Sequence, residues 1–341
     1  MMLRLLIFLA AAITLGLSGM PAALGQEPAE RAVEQPAQAP AAGAKAGRLE
    51  RAGEDAPGAK SPAVDTQRFG KVVDEAFGAY QRGQYLTALE LARPRAEVGD
   101  AAAQTLIAEI YARGLGVRRD GKEAAKWYAR AAEKGDPEAQ MQYALMLIDG
   151  QFAEKDLERA FALMRSAAEA GKTQAQFNLA QMLTEHGSAQ EAVAWYERAA
   201  QAGLPDAQYA LAQVYASGIG GKTKDEAEAR RWLLRAANQN FDTAQLDLGT
   251  WLVEGRGGER DARQGFAWLK RAAESGNVAA QNRIAKLYSA GIGTEPDPIL
   301  AASWYILARR AGLTDLDMED FLAGLTDEQI EQATERANRL R

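Results

Sequence analysis

Between about Gly99 and Gly312 the apolar residues fall on helical faces and not on alternating positions. The dipeptide Ala-Gln recurs with its glutamine at 104, 140, 176, 208, 245 and 281, spacings of 36, 36, 32, 37 and 36 residues. Counting each glutamine as zero, position +3 is Ile107, Tyr143, Leu179, Leu211, Leu248 and Ile284, and position +4 is alanine except at Gly249. Position +7 is Tyr111, Leu147, Leu183, Tyr215, Leu252 and Tyr288. Offsets −1, +3, +4 and +7 trace one face of a helix, and the small residues on it let a second helix approach closely.

A second helix is marked just as regularly. Five residues before each glutamine stands Gly99, Gly135, Gly171, Gly203 or Gly276, with Asn240 in the remaining unit. Eight residues before that stands a large apolar residue: Leu91, Trp127, Leu163, Trp195, Trp232, Trp268 and, ahead of Gly312, Trp304. The five tryptophans in this slot are expected to be core pins between successive units. Gly-x-Gly turns at Gly114/Gly116, Gly218/Gly220 and Gly291/Gly293 supply positive φ at a helix end. A period of this length means a stacked array of two-helix units, and no segment shows the alternation of a strand.

These residues carry a resemblance. The segment GDAAAQTLIAEIYARGLGVRRDGKEAAKWYARAAEKGD, Gly99 to Asp136, resembles the Sel1-like repeats, relatives of the tetratricopeptide repeats. The resemblance implies an all-α fold, an α/α solenoid wound as a right-handed superhelix. It divides the chain into a leading tetratricopeptide-like helix pair at 67–98, a repeat array at 99–312 and C-terminal capping helices at 313–341. Two units depart from the pattern, one with DGQFAEKD in place of the Gly-x-Gly turn and Leu163-Met164 in place of Trp-Tyr, the next shortened at TEHGSAQEA. Superhelical geometry near 149–190 is therefore open.

Ahead of the array, residues 1–25 read as a secretory signal peptide: Arg4, an apolar stretch from Leu5 to Leu17, and Ala23 and Gly25 as small residues before the cut. Residues 26–66, rich in Ala, Pro and Gly, read as a disordered linker, since so few large apolar side chains cannot offset the entropy of ordering. The chain is thus expected to be periplasmic or secreted, with no membrane span after cleavage.

Composition removes several functions. A formal charge of −6 and the lack of a Lys/Arg block argue against nucleic acid. With no cysteine there is no disulfide, thiolate site or lipidated cysteine, and a single histidine, His186, excludes a multi-histidine metal site. His186 and Ser188 share a short turn without a nucleophile elbow, and the Gly-x-Gly turns follow helices, unlike phosphate cradles. Glu226/Glu228 and Glu319/Asp320 read as solvated helix charge. No catalytic residue, cofactor or metal is expected.

What the resemblance implies is a binding scaffold, with the first helices lining a concave face. Offset +1, which holds Met141, Phe177, Tyr209 and Leu246 in four successive units, is expected to line that groove, with Leu145, Gln181, Gln213 and Thr250 at offset +5 beside it. Such side chains would contribute to binding more than to folding; the alternative is that they pack against the neighbouring unit. The partner expected is a protein or peptide of the cell envelope. The other reading is a cell-wall or exopolysaccharide factor, binding glycan or peptidoglycan machinery or regulating an envelope enzyme or sensor kinase.

Overall fold

A computed structural model describes residues 74–340; the expected signal peptide at 1–25, the expected linker at 26–66 and the start of the expected leading helix pair lie outside the described residues. Every regular element among them is a helix. A leading pair, α1 (Glu75–Gln81) and α2 (Tyr85–Glu97), precedes six two-helix units. These are α3 (Ala101–Arg113) with α4 (Gly121–Glu133), α5 (Pro137–Asp149) with α6 (Leu157–Glu169), and α7 (Thr173–Glu185) with α8 (Ala189–Gln201). They continue as α9 (Pro205–Ser217) with α10 (Glu226–Asn238), α11 (Asp242–Glu254) with α12 (Ala262–Glu274), and α13 (Val278–Ala290) with α14 (Pro298–Arg310). Then α15 (Leu316–Ala323) and α16 (Asp327–Arg339) close the array, α16 packing on α14. Consecutive helices pack in order, so the fold is an all-α solenoid of helical repeats.

Each helix of the six units has 13 residues, including those of the two aberrant units. The link from a second helix to the next first helix is equally constant (134–136, 170–172, 202–204, 239–241, 275–277), and a residue with positive φ at its centre turns the chain. Asn240, at φ 64°, fills that role where glycine is missing. The shortened unit therefore loses residues only from the link inside it, which shrinks to 186–188.

The glutamine at offset zero has a structural task. Its Nε2 donates to the carbonyl eight residues earlier, in the last turn of the preceding second helix: Gln104 to Ala96 at 2.8 Å, Gln208 to Ala200 at 3.2 Å and Gln245 to Ala237 at 3.0 Å. Gln140, Gln176 and Gln281 do the same. A helix end is tied to the next unit by a side-chain amide, buried in four of the six units, whose N–H would otherwise lack an acceptor.

In four second helices the residue after the tryptophan is the deeper one, whereas in α8 Tyr196 is no deeper than Trp195. Tyr128, Leu233, Leu269 and Tyr305 are at most 1% exposed. Trp127, Trp195 and Trp232 are 6–7% exposed, each with a guanidinium three residues on lying over its ring (Arg130, Arg198, Arg235). Trp304 is buried, but Trp268 is only half-buried, contrary to expectation. Its unit crosses its helices at Gly249 and Gly265, where a Cβ on Gly265 would come within 2.6 Å of the Gly249 carbonyl, so Gly265 and Leu269 take the contact line and Trp268 lies beside it.

Candidate binding face

The side of each first helix that faces away from its own second helix is the part of the repeat left for function. Offsets −2, +2, +5 and +9 fall within about 60° of one another at ~100° per residue, opposite the core stripe. In the four central units they hold Glu138, Gln142, Leu145 and Asp149; Gln174, Asn178, Gln181 and Glu185; Asp206, Ala210, Gln213 and Ser217; and Thr243, Asp247, Thr250 and Glu254. All sixteen are half-buried or exposed.

Of the predicted site residues, Leu145, Gln181, Gln213 and Thr250 sit on this face and are half-buried. The offset +1 residues do not form an open apolar row. Met141 and Phe177 are buried, each 4% exposed, and Tyr209 and Leu246 are half-buried. The physical reason in three units is the joint with the next one, where offset +1 meets the N-cap of the helix that follows. Thr105 Oγ1 donates to Asp136 (3.0 Å), Asn282 Nδ2 donates to Asp315 (2.8 Å), and the Tyr209 ring lies 5.3 Å from Phe241. Asp136, Phe241 and Asp315 are the N-caps of α5, α11 and α15. Phe177 packs its ring 5.7 Å from Tyr196 of its own unit.

One polar cluster stands out at the boundary of α9 and α11. The Tyr209 hydroxyl (3.0 Å) and Gln213 Nε2 (3.1 Å) both donate to Oδ2 of Asp247. Burial pushes the Asp247 carboxyl above the usual carboxylate range, and these two donors and Arg256 only partly offset it. The Tyr209 phenol is raised too, by its own burial and by the carboxylate beside it. Arg256 itself stacks on Trp251 at 3.9 Å and bonds Glu226 at 3.0 Å.

The weaker chemical candidates stay apart. His186 caps α7, exposed, 6.2 Å from the Phe161 ring, and Ser188 begins α8. Glu226 pairs with Lys224 and Arg256, while Glu319 accepts from Tyr305 at 2.6 Å. Among the described residues no group of three or more His, Cys, Asp or Glu is placed to hold a metal, and no helix is long and apolar enough to cross a membrane.

The Sel1 repeat model matches residues 101–136, 137–172, 173–204, 205–241, 243–277 and 278–313, more than half of the chain. The chain belongs to the Sel1 repeat family. A Sel1 repeat protein from Oxalobacter formigenes is 28% identical, with a TM-score of 0.61 over 71% of this chain and 98% of that one. A protective antigen of uropathogenic Escherichia coli strains with the same repeat fold is 27% identical, with a TM-score of 0.51 over 75% and 64%. Chitin synthase regulatory factor 3 of Schizosaccharomyces pombe is 30% identical over 102 residues, 29% of this chain and 11% of that protein. The chain thus spans about a tenth of that relative's length.

Proposed function

We propose that this chain is an exported, non-enzymatic scaffold that binds a protein or peptide partner of the cell envelope on the first-helix face. The observation that carries the reading is the solvated stripe at −2, +2, +5 and +9, repeated through four units and opposite the core. Its amides suit the backbone of an extended segment. Export rests on the pattern of residues 1–25, and the protein isolated from the envelope fraction should begin at or near Gln26. The test is a photo-reactive phenylalanine analogue placed at Gln181 or Gln213, compared with Glu169 or Lys270 on second helices. Covalent adducts to one partner are expected from the first pair alone; adducts only from the second pair would move the site to the other side.

A second reading is regulation of a polysaccharide-building enzyme, favoured by the likeness to a chitin synthase regulatory factor. Retention of the purified chain on isolated peptidoglycan, without any protein, would favour glycan contact over an adaptor role.

A further inference from the structure

The first helices of the four central units carry charge of one sign, whereas the second helices carry both. Neither lysine nor arginine occurs in α5, α7, α9 or α11, whereas α6, α8, α10 and α12 carry cations such as Arg165, Arg198, Arg231 and Lys270. On the solvated stripe six side chains are carboxylates: Glu138, Asp149, Glu185, Asp206, Asp247 and Glu254. Glu138 is paired by Lys172 and Glu254 by Arg283. The other four, one in each successive unit, make no ion pair among the described residues. Asp149 and Glu185 end α5 and α7, where a negative charge opposes the helix dipole, so neither helix stability nor an internal partner accounts for them. Asp247 is the one held in place: two donors fix Oδ2, and Oδ1 makes no hydrogen bond among the described residues. Cations reappear on this stripe only at the array ends, at Arg113 and at Arg283 and Lys286.

We infer that the face takes a basic, extended segment of a partner protein, its lysines or arginines meeting the unpaired carboxylates that each of the four units offers and one of them seated against Asp247. This deepens the scaffold reading and rests on it. Charge complementarity selects the partner: a face whose unpaired charges are of one sign attracts the opposite sign and repels its own. An anionic glycan meets repulsion here, and the rings that a neutral glycan would stack on, Phe177 and Tyr209, are used in packing.

The test uses the full chain and a fluorescein-labelled ten-residue peptide of alternating Lys and Ser, against the same peptide with Glu for Lys, at about 0.15 M salt. Anisotropy should show binding of the Lys peptide alone. The triple variant Asp149→Asn, Glu185→Gln, Asp206→Asn should weaken it at least about ten-fold. Glu158→Gln, Glu169→Gln, Glu274→Gln, which removes the same charge from second helices, should change it less than about two-fold. Asp247→Asn alone should weaken it several-fold. If circular dichroism shows the stripe triple misfolded, Glu185→Gln decides, with at least about a two-fold loss expected. Equal losses from both triples, or equal binding of Lys and Glu peptides, would overturn the inference. Should the cross-links above still place a protein on this face, the scaffold reading stands and only the basic partner is withdrawn.

Discussion

Asp247 sets the pH response expected of the face. Because burial raises its carboxyl, the folded chain holds that proton more tightly than the unfolded chain does. The stability linked to this group is complete below the ordinary carboxylate value of about 3.9 and is lost as pH rises through the higher folded value. Asn keeps an acceptor for Tyr209 and Gln213 and carries no charge at any pH. Urea unfolding of Asp247→Asn and wild type at about pH 3.5, 5 and 7 should show the variant gaining on wild type as pH rises. A constant difference would mean that the carboxylate ionises freely. The offset-zero glutamine gives a smaller effect: Gln245→Leu removes the donor to Ala237 and should cost about 1 kcal/mol in the same assay.

At the scale of the element, the links inside the units do more than reverse the chain. The second glycine of the Gly-x-Gly turn lies against the first residue of the preceding unit's second helix. A Cβ on Gly257 would fall 2.3 Å from the Glu226 carbonyl, and one on Gly293 would fall 2.1 Å from that of Ala262. In the unit without this turn the contact is inverted, because Phe152 occupies the space that a Cβ on Gly121 would need. The shortened link offers no such cover, and Leu157 at the same place is left 49% exposed. Two glycines of positive φ should therefore respond differently. Gly276, with open space around it, should cost about 1–2 kcal/mol when changed to Ala. Gly257→Ala adds a backbone collision to the same strain and should exceed it clearly in thermal melting. Equal losses would show that close approach does not matter. Trp232→Ala, which empties a buried ring site, should cost about 3–5 kcal/mol.

For the whole molecule, the sequence pattern shows what lies within a unit better than what lies between units. The core stripe, the helix pairs and the constant second-to-first link follow from Ala-Gln, Gly and Trp at fixed offsets. The role of offset +1 does not, because its partner is the N-cap of the next first helix, 31 residues away for Thr105 and 33 for Asn282. The signal was nonetheless in the chain: where +1 is Thr or Asn the coming N-cap is Asp, and where it is Tyr the N-cap is Phe. Offset +5 was legible as solvated since it lies opposite the core, whereas the unpaired carboxylates at −2, +2 and +9 needed the ion pairs of the folded chain to be recognised. Offset +1 side chains thus belong to the packing and offsets −2, +2, +5 and +9 to the face, and urea unfolding of two double variants tests that division directly. Phe177→Ser with Tyr209→Ser should lose at least about 4 kcal/mol, and Gln142→Ala with Gln181→Ala should stay within about 1 kcal/mol of wild type. A Phe177→Ser, Tyr209→Ser variant that unfolds like wild type would contradict this and return offset +1 to an open groove.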